Sequence, residues 1–526
     1  MSRWLSRNWL WMIIIGAAAV YAPLVGSSQD EKARKRGLET LTEVMDIIQK
    51  QSIAPPTPKQ VAYASIQGML QTLDPHSSFM DELEFRNMRD DQKGAYFGIG
   101  AIIQGQPDGY VAIVNIIAGG PAEKAGLRAG DIFREIDGKT AEGQSSNQVM
   151  RRLRGEKGTT VMLIVQRPGA EQLINLSIVR AEIPNNSVYY SFMLTDEIGF
   201  IKIRDFGETT SDDFGKAIVA LKKKGMRALI LDLRDNPGGS LDAAIGISKQ
   251  LLGPNELILT QRGREGREPI FFRTEADDKL SANSFPLAVL INRRSASASE
   301  IVAGAIQDHD RGLLVGETSW GKGLVQVVVP INRTRGLGLT IARYHTPSGR
   351  CIQRDYQHGL DDYYIFDAED SDQAEASGPE YHTDLGRTVY GGGGIRPDYT
   401  VARKEQVMAI RLRNVYGAYF KFVVAEKDRL GFKPGQAADG ATMARFREWL
   451  GGQNINISDE DWKAAEKDIN ANLTIEIHSL LYGTEAGFKY ESLAADAQVQ
   501  KAIEVLPEAE SLYNKRLQKK EPIAKR

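Results

Sequence analysis

Between Gly37 and Leu73 the apolar residues fall at helical spacing, with Leu38, Leu41, Val44, Ile47 and Ile48 on one stripe. Ala54-Pro55-Pro56 interrupts that stripe, because proline lacks an N–H and restricts the residue before it, so two helices are expected. From about Tyr96 the period changes to short strands and glycine turns. Phe97-Gly98-Ile99-Gly100-Ala101 leads into a strand, Tyr110 to Ile117 is a second, Ser146 to Leu153 is helical, and Thr160 to Arg167 is a third strand. Ser187 to Val401 alternates strand and helix: Gly199 to Ile203, Ala228 to Leu233 and Leu287 to Ile291 read as strands, with another near Leu257. Asp212 to Lys224 and Ser240 to Leu252 read as helices, and the alternation predicts a layered α/β domain. Beyond Lys404 the spacing is mostly helical. Trp449 to Asn456 reads as a connection, Ser458-Asp459-Glu460-Asp461 as a helix start, and the charged tail from Lys515 as frayed. The expected boundaries are 1–28, 31–88, 89–182, 183–403 and 404–526.

The first thirty residues add a compartment. Arg3 and Arg7 give a basic start, Trp9 to Val25 is almost uniformly apolar, and Gly26, Ser27 and Ser28 precede the first charge at Asp30. That order predicts a signal peptide or a short single membrane anchor, and an exported protein of the periplasm or cell envelope. Composition is that of a globular protein of several domains: 526 residues, 42% hydrophobic, 25% charged. A net charge of −2 argues against a nucleic-acid surface. The single cysteine, Cys351, rules out an internal disulfide and reads as structural.

Within the second unit, Gly120-Pro121-Ala122-Glu123-Lys124-Ala125-Gly126-Leu127-Arg128-Ala129-Gly130-Asp131 resembles a bacterial, circularly permuted PDZ domain. Phe97, Gly98, Ile99 and Gly100 would form a turn whose N–H groups capture a peptide carboxylate, beside a strand edge that accepts the peptide.

Three segments of the α/β region carry candidate chemistry. In Arg293-Arg294-Ser295-Ala296-Ser297-Ala298-Ser299-Glu300, a buried strand gives way to a helix, a corner where N–H groups favour developing negative charge. Ser297 with Glu300 also spells an S-x-x-E capping box, the bland reading of the same residues. In Gly316-Glu317-Thr318-Ser319-Trp320-Gly321-Lys322-Gly323-Leu324-Val325-Gln326, strand alternation puts Lys322, Leu324 and Gln326 on one face. Desolvation beside Leu324 would favour the neutral amine, a candidate base held by Gln326. Leu231-Asp232-Leu233-Arg234-Asp235-Asn236-Pro237-Gly238-Gly239 is a tight turn, or half of an oxyanion hole shared with the N–H of Ala298. Gly316-x-x-x-x-Gly321-Lys322 nearly spells a phosphate-binding loop, but Gly323 stands where a hydroxyl should meet the metal. Of the six histidines, His309 in Asp308-His309-Asp310 is expected to be solvated, and no metal-ligand spacing occurs.

With Leu73-Asp74-Pro75-His76-Ser77, Thr340 to Arg350 and Gly394-Ile395-Arg396-Pro397-Asp398, these segments make the chain resemble the carboxyl-terminal processing (tail-specific) proteases from about Leu73 to Val401. The resemblance implies a crotonase-like or ClpP-like protease core, Ser297 as nucleophile, Lys322 as base and Gln326 as its assistant. It implies no cofactor or metal, and a PDZ domain that binds substrate C-termini, often apolar. It also implies that Arg154 reaches the catalytic side. Substrates would be proteins or peptides; an adaptor or activator partner, a homo-oligomer, and membrane attachment through an uncleaved N-terminus are left open. A 353–391 insertion, acidic and tyrosine-containing, departs from shorter members. Rival readings are a catalytically idle PDZ adaptor and an acyl-CoA enzyme on the same fold.

Overall fold

The computed structural model describes residues 28–520 apart from 93–94, 107, 118, 169, 171, 185, 276–283, 357–362, 364–377, 403–405, 428 and 430. The N-terminal apolar run and most of the acidic insertion lie outside the described residues. The chain divides into two units, 1–79 and 80–526.

In the first unit, α1 (Ser28–Gln51) and α2 (Pro58–Gln71) flank the proline break. Thr57 caps α2: its hydroxyl accepts from the Gln60 N–H at 3.3 Å, and Gln60 Oε1 accepts from the Thr57 N–H at 2.8 Å. Asp74 Oδ1 then accepts the N–H groups of His76 and Ser77, each at 2.8 Å, which closes the turn after α2.

The second unit opens with α3 (Glu82–Gln92), followed by a small β-rich domain. Its elements are β1 (Ala95–Gly98), β2 (Ala101–Gly105), β3 (Val111–Ile116), β4 (Ile132–Ile136), α4 (Ser146–Leu153), β5 (Thr160–Gln166), β6 (Ile174–Val179) and β7 (Ala181–Pro184). β1 pairs with β7, and the other strands run in the order β2-β3-β4-β5-β6, so β2 is an outer strand. Ile113, Phe133, Val149, Val161 and Leu163 fill the interior.

The α/β core comprises β8 (Val188–Met193), β9 (Ile198–Ile203), α5 (Thr210–Lys223), β10 (Ala228–Asp232), α6 (Leu241–Leu251), β11 (Leu257–Arg262), β12 (Ile270–Arg273), β13 (Leu287–Ile291), α7 (Ala298–Asp308), β14 (Leu313–Gly316), β15 (Leu324–Pro330), β16 (Gly336–His345) and β17 (Tyr399–Thr400). The main sheet runs β8-β9-β10-β13-β14-β17, parallel from β9 onward. β10, β13 and β14 are buried along their whole length, and apart from Asp232 at the end of β10 they carry only apolar residues and glycine. A second sheet contains β15, β16, β11 and β12 in antiparallel order. Helices α5, α6 and α7 pack on one face of the main sheet.

The C-terminal helices are α8 (Val407–Asn414), α9 (Ala418–Glu426), α10 (Gly440–Gly452), α11 (Asp459–Tyr482), α12 (Thr484–Ala494) and α13 (Ala497–Lys520). They divide between two cores. Helices α8 to α11 close around Phe422, Phe446, Trp462 and Leu473. Helix α13 instead lays Val499, Ala502, Val505, Leu506 and Ala509 on the second face of the main sheet. Two expectations need correction. Trp449 lies inside α10, packed on Phe422, so the connection is only the short stretch after Gly452. The tail from Lys515 is not frayed up to Lys520, because Arg516 is buried and paired with Glu256.

Candidate active site

The parallel strands β10 and β13 deliver two loops to the same end of the sheet, the end at which open α/β sheets carry their chemistry. The first loop begins in a buried ion network. Arg234 grips Asp232 through two hydrogen bonds of 2.9 and 2.8 Å, and Lys202 Nζ stands 3.1 Å from the same carboxylate. These cations hold the Asp232 carboxyl far below its usual range against the cost of burial. Arg234 also donates to Asp496 (2.7 Å) and Gln498 (2.9 Å), which ties the loop to the start of α13.

The second loop carries the three serines, and their surroundings differ. Ser295 is buried and donates to the Leu233 carbonyl at 2.8 Å; Ser299 is buried and donates to the Asn236 carbonyl at 3.0 Å. Ser297 lines a cleft of about 640 Å³ together with Lys322 and Gln326. Its backbone sits at φ 55°, ψ −112°, a conformation that costs a non-glycine residue roughly 1–3 kcal/mol. Gly238 presses against this turn: a Cβ there would lie 2.8 Å from Ala298 N and 2.7 Å from Ala296 O. Sequence offered either Gly238 or Gly239 as an oxyanion donor. The Gly238 N–H is committed to Asn236 Oδ1 at 2.9 Å, whereas the N–H groups of Gly239 and Ala298 meet no protein acceptor among the described residues. Gly239 and Ala298 both line the cleft.

Lys322 precedes β15, and its Nζ donates to Gln326 Oε1 at 2.8 Å. The alternation that predicted this contact is interrupted by a register irregularity between Val325 and Gln326, yet both side chains still reach the cleft. Leu324 is buried beside them.

Sequence assigned Glu300 no more than a cap. The structure buries it completely and surrounds it with four donors. Ser297 N–H (2.8 Å) and Lys322 N–H (2.9 Å) donate to Oε2; Gly321 N–H (2.6 Å) and Ser319 Oγ (2.5 Å) donate to Oε1. Burial pushes the Glu300 carboxyl above its ordinary range, and the four donors pull the other way. The S-x-x-E spacing marked the residue but could not show that its carboxylate spans to a loop twenty residues on. The same contacts dispose of the phosphate-loop resemblance, since Glu300 occupies the amides that would cradle a phosphate and a strand follows. Trp320 in this loop donates to the hydroxyl of Tyr363, a buried residue of the insertion, at 3.4 Å.

His309 is not solvated, as its polar neighbours suggested. It is buried, with Nδ1 2.8 Å from Asp384 and Nε2 2.7 Å from the Leu257 carbonyl, so it is a structural bridge far from the cleft's lining.

Peptidase family S41 matches residues 197–361, and a PDZ domain matches 113–167. A carboxy-terminal-processing protease of Bartonella bacilliformis is 35% identical over 65% of this chain and 78% of its own length. The chain belongs to the carboxy-terminal processing proteases. A second relative, the Bacillus subtilis processing protease CtpB, is 32% identical over 65% of this chain and 74% of its own. Among solved structures, a photosystem II D1 C-terminal processing protease is 27% identical, covering 69% of this chain and 86% of that one, with a TM-score of 0.36.

This processing protease is thus a serine-type peptidase with an attached PDZ domain. In that domain Gly100 has φ 78°, and the N–H groups of Ile99 and Gly100 meet no protein acceptor among the described residues. The Ile99 side chain is buried in the domain core, and its carbonyl accepts from the Ala122 N–H at 2.8 Å. Phe97 carries the Lys157 ammonium 5.8 Å over its ring. Arg154 stacks over Tyr96 with its guanidinium carbon 4.2 Å from the ring centroid. It lies next to Gly98 and is not among the residues lining the Ser297 cleft. No group of His, Cys, Asp and Glu among the described residues is arranged to hold a metal ion.

Proposed function

We propose that this processing protease captures protein C-termini on its PDZ domain and cleaves the attached chain with a Ser297–Lys322 dyad. The observation that carries the reading is the shared Glu300 Oε2, which takes the backbone N–H of both residues while both side chains face one cleft. Neutral Lys322, oriented by Gln326, takes the Ser297 proton as Oγ attacks the scissile carbonyl. The N–H groups of Ala298 and Gly239 stabilise the oxyanion, each worth roughly 3 kcal/mol. Lys322 returns the proton to the leaving amine, and water then hydrolyses the acyl-enzyme. Trp9 to Val25 supports export or anchoring of the chain in the cell envelope. No helix among the described residues is long and apolar enough to cross a membrane.

The test is degradation of a denatured protein ending in an apolar tail. Ser297→Ala and Lys322→Ala should each abolish cleavage while tail binding persists. Undiminished cleavage in either would refute the dyad. Arg154→Ala should alter turnover with the fold intact, and unchanged kinetics would remove Arg154 from the account.

A further inference from the structure

The far end of the PDZ groove does not open to solvent alone. β2 begins directly after the Gly98–Gly100 turn and is paired along one edge, with β3. Its last residue, Gly105, lies against α4, where a Cβ would meet Ser146 Oγ at 3.2 Å. Just beyond, a cavity of about 180 Å³ is walled by Gln104 and Gln106 from the PDZ side and by Arg413, Tyr419 and Glu476 from the C-terminal helices. The two walls are fastened together. Lys421 Nζ stands 3.8 Å from Asp108, and Val424 packs so close to Gly130 that a Cβ there would lie 3.2 Å from it.

Two oxygen acceptors of the cavity wall take no hydrogen bond among the described residues, although the Arg413 guanidinium lines the same cavity. Gln106 Oε1 is buried without a partner. The Glu476 carboxylate accepts no hydrogen bond among the described residues, and burial pushes its carboxyl up to about 7, with Arg413 offsetting part of its charge. An unpaired buried acceptor is costly, and a donor supplied by a ligand would relieve it.

The register break between Ile102 and Ile103 places its extra residue on β3, so an antiparallel tail with its carboxylate on the Ile99 and Gly100 amides would pair residue for residue along β2 and bring about its sixth residue from the end to Gln106. We propose that this pocket is a second tail subsite, which takes a cationic, hydrogen-bond-donating side chain (lysine or arginine) about six residues before the substrate's C-terminus. The proposal rests on the tail-capture reading above. The C-terminal helices would then help select substrates, and the recognised signal would be an apolar end preceded by a basic residue.

The test uses the full chain carrying Ser297→Ala, with fluorescent tail peptides of four and nine residues. In the longer peptide, lysine, norleucine or glutamate is placed in turn at the fifth, sixth and seventh positions from the end. Lysine at one of these positions should bind about tenfold tighter than norleucine, the value of one charge-assisted hydrogen bond. Glu476→Gln and Gln106→Leu should each erase most of that gain and leave the tetrapeptide's affinity unchanged, which also certifies that the PDZ domain is folded. Equal binding of the lysine and norleucine peptides, with the tetrapeptide bound, would overturn the subsite and spare tail capture. A gain that survives both substitutions would overturn it as well. Failure of every peptide to bind would overturn tail capture and the subsite together.

Discussion

At the scale of single residues, the position of Glu300 matters more than its charge. Its two oxygens accept from Ser297, Ser319, Gly321 and Lys322, so one side chain sets the separation of the Ser297 turn and the Lys322 turn. In Glu300→Gln an NH₂ group must face donors it cannot satisfy. We expect kcat to fall roughly 100-fold, the loss of two charge-assisted hydrogen bonds, with tail affinity unchanged. Turnover near the wild-type value would show that the carboxylate is dispensable to the dyad. The strain at Ser297 yields a second expectation. Glycine tolerates φ 55° without penalty, so Ser297→Gly should unfold at a higher temperature than Ser297→Ala. Calorimetry of the two variants decides it; the reverse order would mean that the turn is unstrained.

At the scale of elements, α13 contributes more than its sequence advertised. Leu506 is buried against the main sheet, and Leu506→Ala should cost about 2–5 kcal/mol, read as an earlier urea midpoint. A shift below the low end would mean that the helix packs loosely. Much of the fold was legible in the chain: β10 and β13 as apolar runs, α2 from its proline break, the PDZ unit from its glycine turns. What stayed hidden depends on partners distant in sequence. The tail around Arg516 looked frayed because Glu256 lies 260 residues away, and His309 looked solvated because Asp384 lies 75 residues away. In the site, sequence paired Lys322 with Gln326, four residues apart on one strand. It could not separate Gly238 from Gly239, since that choice turns on where one N–H points, at Asn236.

At the scale of the whole molecule, Glu476 gives the join between the PDZ domain and the C-terminal helices a pH dependence. Its folded pKa of about 7 exceeds the ordinary 4.5, so the folded state binds the proton more tightly. The stability this contributes is full below about pH 4.5 and is lost as the pH rises through 7. The melting temperature of the wild type should therefore fall more between pH 5 and pH 8 than that of Glu476→Gln, and parallel profiles would contradict the assignment. The placement of α13 has a consequence for shortened chains. Without residues 497–520 one face of the main sheet has no cover, and Arg234 loses its bond to Gln498. A chain stopped before that helix would carry Ser297, Glu300 and Lys322 and still lack the apolar backing of the sheet that delivers their loops.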